Sequence, residues 1–318
     1  MPSLGAALQR KEFMVKRSKK PRVGIVGLGI MGGAFANHLA AAGFRLAGYD
    51  VLAAKRAYLR SLGGSAALSP AAVAAGTRIV ITSLPSVKAF ESALFGHDGI
   101  AAGARRGTIV IEASTLPLAV KQSAQRRLAR LGITLLDCPI SGTGAQAAAK
   151  DIAVYASGDR RAYARCAAVF KGFARSTYYC GAFGTGSKLK YIANLLVTIH
   201  NVSTAEAFVL AERARVDPAL MYRVIKDGAG TSRMFEVRGP LMIKRRYLPA
   251  TMKVDVYQKD IAIIKAFATA LRSPTPLFKA SLRYYDSALK RGYAKHDTAV
   301  VHAVLRKGGR RRGGSATS

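Results

Sequence analysis

Arg22-Val23-Gly24-Ile25-Val26-Gly27-Leu28-Gly29-Ile30-Met31-Gly32 is the stretch whose reading decides the fold. Arg22 to Val26 reads as a short buried strand. Gly27, Gly29 and Gly32 supply GxGxxG, and Gly33 to Ala42 continue with a helical pattern. In a strand–turn–helix unit each glycine has a mechanical task. Gly27 permits the tight turn, Gly29 lets the backbone approach a pyrophosphate, and Gly32 lets the helix pack against the strand. The helix N-terminus then offers free N–H groups and a positive dipole end to the phosphates, and Leu28, Ile30 and Met31 are expected among the cofactor-binding residues.

Working outward, Arg45 to Tyr49 reads as a second strand ending in Asp50, about twenty residues past the glycines, where a carboxylate meets the adenine ribose hydroxyls. An acid there disfavours a 2′-phosphate, so NAD is expected ahead of NADP, with Lys55 and Arg56 near enough to weaken the preference. Asp50 is also a credible cap for the following helix. Apolar runs at Ile79–Leu84, Gly107–Ala113, Ile133–Asp137 and Asp151–Ser157 alternate with helical stretches at Ala53–Ser61, up to Leu94, and at Pro117–Leu131. That alternation predicts a Rossmann-type, doubly wound parallel α/β sheet.

Beyond Gly184 the pattern becomes helical. Ser187 to about Arg213 reads as one helix of ~40 Å, long enough to join two domains. Helices at Ala219–Asp227, Met252–Leu271, Pro276–Arg291 and Thr298–Leu305 complete an all-helical C-terminal domain. The expected boundaries are a basic tail at 1–21, an NAD-binding domain at 22–185, a helical domain at 186–305 and a second basic tail at 306–318.

The chain has 318 residues and a formal charge of +33. Residues 1–22 carry +6 and residues 306–318 carry +5, which leaves +22 on the body between them. Both tails are expected to be disordered from their Gly, Ser and charge content. Met14 is a second candidate start, and the arginine-rich beginning also fits a transit peptide. So basic a surface predicts nonspecific polyanion binding at low salt and attraction of anionic substrates. No apolar run is long enough for a membrane span. Cys138, Cys166 and Cys180 lack metal-ligand spacing, and an odd count of reduced thiols points to a cytoplasmic setting. The five histidines form no metal or triad pattern, so no metal is expected, and His38 is expected on the solvated side of the first helix.

Four blocks in order carry a resemblance: GLGIMG at 27–32, LLDCPISGT at 135–143, GTGSKLKYIAN at 184–194 and QKD at 258–260. Together they resemble the β-hydroxyacid dehydrogenases, the group that includes 3-hydroxyisobutyrate dehydrogenase, over about Arg22 to Leu305. The resemblance implies an NAD-dependent oxidoreductase of a small anionic β-hydroxy acid. Lys190 matches the family's active-site lysine in GxGxxxKxxNN. A lysine can exchange a proton with an alcohol when burial or nearby positive charge lowers its pKa. Asn194, one turn on, faces the same way. Ala193 stands where the family usually carries the first of two asparagines. Lys188, about 200° around the helix, is expected to be solvated.

Ser141-Gly142-Thr143 matches a Ser-Gly-Gly substrate loop, with backbone N–H groups for a carboxylate; Thr143 replaces a glycine. The same residues also suit an ordinary turn. Ser114 and Thr115 match a pair beside the nicotinamide and are credible caps for the helix after Pro117. Leu84-Pro85 matches a strand end along the cofactor. Lys259 matches a second family lysine, with Asp260 as its structural partner. Residues 232–240 and 247–260 look like the four-carbon acid-sugar branch, as in threonate dehydrogenases, where Arg233, Arg238 or Lys253 meets extra hydroxyls. The leading expectation is a 3-hydroxyisobutyrate-like substrate, with the threonate-like acid as the alternative. A polyanion-binding scaffold and imine reduction are the competitors. The long apolar helix implies a homodimer or homotetramer.

Overall fold

The computed structural model describes residues 20–308. Six strands form one parallel sheet: β1 Arg22–Val26, β2 Arg45–Tyr49, β3 Ser65–Ala66, β4 Ile79–Thr82, β5 Ile109–Glu112 and β6 Thr134–Asp137. Their order is β3-β2-β1-β4-β5-β6, the doubly wound arrangement with its crevice where the winding reverses, between β1 and β4. Both faces are covered, which explains the unbroken apolar runs. Ile79, Ile81, Ile109, Ile111 and Leu136 point into one core with Phe35 and Leu39. Val80, Val110 and Leu135 point into the other with Val73, Phe90 and Leu128.

The connecting helices are α1 Ile30–Ala41, α2 Ala53–Ser61, α3 Pro70–Ala75, α4 Val87–Phe95, α5 Ile100–Gly103 and α6 Leu118–Arg130. Helix α1 opens at Ile30, three residues before the expected Gly33, so the phosphate-facing turn is already helical. The run 151–157 does not extend the parallel sheet as expected. Ile140–Ser141 (β7), Ala153–Ala156 (β8) and Ser176–Tyr179 (β9) form a separate three-stranded sheet, in which β8 is antiparallel to β7 and parallel to β9. Short helices α7 Gly144–Ala148, α8 Arg160–Arg165 and α9 Ala167–Phe173 complete this layer. His38 is half-buried between the layers, its Nε2 2.8 Å from the Ala147 carbonyl, rather than on a solvated face.

Helix α10, Thr185–Arg213, runs 29 residues, and α11 Pro218–Lys226, α12 Arg233–Ile243, α13 Val254–Ala270, α14 Pro276–Lys290 and α15 Val301–Gly308 pack around it. Polar side chains along its buried stripe are paired one by one. Asn194 Nδ2 bonds Asp260 at 3.0 Å, Thr198 Oγ1 meets the Tyr257 hydroxyl at 2.9 Å, and Asn201 Nδ2 reaches the Tyr285 hydroxyl at 3.0 Å. Leu189, Ile192 and Leu210 remain exposed along it, and Leu196 is exposed at the cleft.

Helix α12 is not among the helices expected from the sequence, and it carries a proline, Pro240, in its interior. Pro240 cannot donate to the Glu236 carbonyl, and the Tyr222 hydroxyl fills the gap with a 2.9 Å bond to that oxygen. The 1–19 portion of the expected N-terminal tail and residues 309–318 lie outside the described residues. Arg306 and Lys307, by contrast, belong to α15, and Arg306 Nε donates to Glu212 Oε2 at 2.6 Å. Among the described residues, no helix is long and apolar enough to cross a membrane.

Candidate active site

One cleft of about 1490 Å³ opens at the C-terminal ends of the strands, between the sheet and the helices around α10. It exceeds the usual single-ligand pocket and has room for a dinucleotide plus a small acid. Every residue given a catalytic, cofactor-binding or substrate-binding part from the sequence lines it except Leu28 and Gly32, which lie beneath its surface.

The glycine turn has the geometry a pyrophosphate requires. Gly27 has φ of +90°, and a Cβ there would fall 2.2 Å from the Ser83 carbonyl oxygen. A Cβ on Gly32 would lie 1.9 Å from the Gly27 carbonyl oxygen, so α1 can seat on the turn only with glycine. A Cβ on Gly29 would meet nothing within 4 Å. That open space faces the first turn of α1, which has no side-chain cap and no acidic residue to compete with an anion. These residues fit the diphosphate of a dinucleotide.

Asp50 closes the far end. Its Oδ2 accepts the Leu28 N–H at 2.7 Å and its Oδ1 accepts the Leu52 N–H at 2.9 Å, so it braces the loop rather than capping α2, whose N-cap is Leu52. Each oxygen keeps a second lone pair for a ribose hydroxyl. Arg56 is half-buried beside it, with Nη1 donating to the Asp50 carbonyl.

Ser114 and Thr115 are not helix caps, since Pro117 occupies the N-cap position of α6. The Ser114 hydroxyl instead accepts the Leu84 N–H at 2.8 Å, tying the ends of β4 and β5 together beside Pro85. The Thr115 carbonyl accepts Lys259 Nζ at 2.8 Å, a bond from the helical half to the sheet. Thr143 also differs from expectation. Its hydroxyl accepts the Gln146 N–H at 3.3 Å while its own N–H donates to Gln146 Oε1 at 3.0 Å, a reciprocal cap of α7. Thr143 thus caps α7 while lining the cleft wall with Ser141 and Gly142. Gly142 has φ of +145° and lies against Ile152, so the loop cannot take a side chain there.

Lys190 is half-buried in the second turn of α10, while Lys188 is exposed. Burial lowers the Lys190 pKa from the ordinary lysine value; Asp260 opposes that effect and Lys259 reinforces it. Asp260 is more than the partner of Lys259 anticipated from the sequence. Its closest bond is to Asn194, and Lys259 Nζ stands 3.7 Å from its other oxygen. Burial holds the Asp260 carboxyl above its usual range, against the pull of the two lysines. Lys190, Asn194, Lys259 and Asp260 thus form one charge cluster drawn from α10 and α13.

Both arginines expected to meet extra hydroxyls already hold carboxylates. Arg238 is 2% exposed, its Nη1 donating to both Asp297 oxygens at 2.7 and 2.8 Å and to Thr251 Oγ1 at 2.8 Å. Arg233 bonds Glu236 at 2.7 Å and crosses the cleft mouth to Asp151 at 2.7 Å, where Arg175 also binds. Asp151, Arg175 and Tyr178 line the cleft without any signal in the sequence, because it is the second sheet that brings them there. Among the described residues there is no cluster that could hold a metal ion.

A doubly wound sheet, a glycine turn shaped for a diphosphate and a buried lysine–carboxylate cluster across the crevice are the parts of an NAD(P)-dependent oxidoreductase of a CH–OH group. Residues 22–181 match the NAD binding domain of 6-phosphogluconate dehydrogenase, and residues 184–305 match the NAD-binding domain of NADP-dependent 3-hydroxyisobutyrate dehydrogenase. The L-threonate dehydrogenase of Cupriavidus necator is 35% identical over 89% of this chain and 95% of its own. Mouse mitochondrial 3-hydroxyisobutyrate dehydrogenase is 28% identical over 91% of this chain and 88% of its own. The crystal structure of a 3-hydroxyisobutyrate dehydrogenase from Salmonella typhimurium superposes with a TM-score of 0.81 at 33% identity, covering 90% of this chain and all of that one. The chain belongs to the 3-hydroxyacid dehydrogenase family.

Proposed function

We propose that this enzyme oxidises a four-carbon polyhydroxy acid of the threonate type, with NAD as the preferred cofactor and Lys190 as general acid–base. The observation that carries the chemistry is the Lys190 amine, depressed in pKa by burial and lining the same cleft as the glycine turn. The substrate class rests on the resemblance of residues 232–240 and 247–260 to that branch, and on the identity with relatives named L-threonate dehydrogenase. The 3-hydroxyisobutyrate-like reading is the second, favoured by the superposed Salmonella typhimurium enzyme.

The bound nicotinamide supplies the hydride acceptor. Lys190 in its neutral form takes the hydroxyl proton as the C–H bond breaks, so the products are a carbonyl compound, the reduced cofactor and a lysine ammonium that returns its proton to water. Asn194, held by Asp260, orients the hydroxyl oxygen and the amine. Ser141 and the Gly142 N–H bind the carboxylate. The Leu84–Pro85 and Ser114–Thr115 edges wall the nicotinamide side, and Lys259, fixed on the Thr115 carbonyl, both closes that wall and helps to keep Lys190 neutral. Asp50 favours NAD by meeting ribose hydroxyls and repelling a 2′-phosphate.

Steady-state assays with threonate, 3-hydroxyisobutyrate and glycerate, each with NAD and NADP, test the substrate and cofactor together. The expected result is the highest kcat/KM for threonate with NAD. Higher kcat/KM for 3-hydroxyisobutyrate returns the second reading. Lys190→Ala should lower turnover at least a hundredfold, the usual scale of acid–base catalysis, with dinucleotide affinity retained; full turnover would remove Lys190 from this role.

A further inference from the structure

Beneath the cleft lies a buried charge network with no place in the acid–base chemistry. Lys121 of α6 is fully buried, a costly position for a cation. Its ammonium donates to Asp137 Oδ1 at 2.8 Å and to the Ser114 carbonyl at 2.7 Å, and it stands 3.9 Å from Glu112. Burial works against its charge and the two carboxylates outweigh it, so its pKa lies above the ordinary lysine value. Asp137, at the end of β6, is equally buried and reaches the other way. Its Oδ2 accepts the Ser187 N–H at 2.7 Å and its Oδ1 accepts the Ser187 hydroxyl at 2.7 Å. Ser187 is the third residue of α10, and Lys190 follows it by three.

The N-terminus of α10 has no cap of its own, because Gly184 offers no side chain. Its free N–H groups are satisfied from outside the helix: Ser187 by Asp137, and Gly186 by the Ser157 hydroxyl at 3.0 Å. A carboxylate at this end also meets the positive pole of the helix dipole. The first turn is pressed onto the sheet edge, since a Cβ on Gly186 would come 2.2 Å from the Tyr155 carbonyl oxygen. From Ser114 the chain of bonds continues to the cofactor side, through Glu112 to the Ser114 N–H at 2.7 Å and through the Ser114 hydroxyl to the Leu84 N–H.

We propose that Asp137 is a positioning residue: a cap supplied by the sheet, braced by Lys121, that fixes the first turn of α10 and thereby sets Lys190 against the wall made by Leu84 and Ser114. It rests on the acid–base reading of Lys190 but concerns a residue that touches neither substrate nor cofactor. The bonds reach one body from both sides, so a loosened cap moves the amine relative to the nicotinamide wall. A misplacement of about 1 Å remote from the chemistry can cost on the order of a hundredfold in rate.

Ser187→Ala deletes one of the two capping bonds and leaves the Asp137–Lys121 pair intact, so it tests the cap even if Asp137→Asn fails to fold. Turnover should drop about tenfold in Ser187→Ala and more in Asp137→Asn, with the dinucleotide Kd within twofold of the parent. In a Lys190→Ala background, Ser187→Ala should cost nothing further. Amide exchange in residues 186–190 should quicken at least tenfold in either variant. An equal loss in both backgrounds, turnover within twofold of the parent in a folded variant, or unchanged exchange in the first turn would each overturn the proposal. Full turnover by Lys190→Ala alone, with exchange still quickened, would instead refute the acid–base reading and leave the cap standing.

Discussion

Asp260→Asn should move the pH dependence of alcohol oxidation in a direction that simple damage cannot imitate. The carboxylate is 8% exposed, accepts Asn194 Nδ2 at 3.0 Å and stands near two lysines. Asparagine has nearly the same shape, and its Oδ1 can still accept from Asn194, so the substitution removes charge while sparing geometry. Lys190 must be neutral to take the hydroxyl proton, so kcat rises with pH along a limb that follows its pKa in the enzyme–substrate complex. Burial already lowers that pKa, Asp260 props it up and Lys259 pushes it down. Loss of the carboxylate removes the one group that props the Lys190 pKa up, so the neutral amine is favoured and the limb moves to lower pH. On the acid side of the parent midpoint, turnover relative to each variant's own plateau therefore rises in Asp260→Asn. Lys259→Met should do the reverse, lifting the Lys190 pKa and moving the limb upward. The assay is kcat against pH from about 6 to about 11 at saturating cofactor and substrate, read from absorbance of the reduced nicotinamide. Limbs that move in the same direction in both variants, or stay fixed while only the plateaus fall, would refute the charge cluster as the source of the Lys190 pKa.

The glycine turn makes a paired prediction. Gly29→Ala should fold as the parent does, because the added methyl enters open space, yet lose at least tenfold in dinucleotide affinity, whereas Gly32→Ala should lower the melting temperature by several degrees through its contact with the Gly27 carbonyl. Melts and cofactor titrations on both separate the two effects, and parent-like cofactor affinity in Gly29→Ala would refute the phosphate approach at that position. Buried His302, with Nδ1 2.9 Å from the Tyr247 hydroxyl, has its pKa pushed down to about 4, chiefly by burial, with Glu212 opposing. The unfolded chain therefore takes up a proton that the folded one refuses, and stability contributed by neutral His302 is complete above pH ~6.5 and lost as pH falls toward ~4. Denaturant midpoints for His302→Phe at about pH 7 and pH 5 should show a shallower decline than the parent; an identical decline would clear His302 of this role.

Local patterns made the sheet and the cofactor turn legible. Strand β1, the three glycines and Asp50 lie within one short segment, and their spacing is the mechanism. Buried strands β4, β5 and β6 were equally plain because parallel strands covered on both faces leave unbroken apolar runs. The second sheet was not legible, since β7 is two residues long and its pairing with β8 is a tertiary fact. Helix α12 was hidden by Pro240, whose cost is relieved by a tyrosine eighteen residues earlier in the chain. In the cleft, the Arg238–Asp297 pair spans 59 residues and is set only by the fold, whereas the reciprocal bonds of Thr143 and Gln146 have the local spacing of a capping box.

Three lysines show where residue type stops being informative and environment takes over. Lys188 and Lys190 are two residues apart on α10, and a turn of about 200° sends one to solvent and the other into the cleft. That difference could be read from helix geometry. Lys121 could not: on α6 its neighbours along the chain look like those of an exposed basic helix, and only the fold places it between Glu112 and Asp137. Burial acts against the charge of both Lys121 and Lys190, yet their pKa values move in opposite directions. Lys121 faces two carboxylates, and their attraction outweighs its desolvation. Lys190 faces one carboxylate already shared with Lys259 and Asn194, and there desolvation wins. The same side chain is thus a permanent brace in one position and a proton carrier in the proposed chemistry of the other, according to how many acids meet it without a competing cation. Adding a carboxylate beside Lys190 would make it resemble Lys121 and hold its proton.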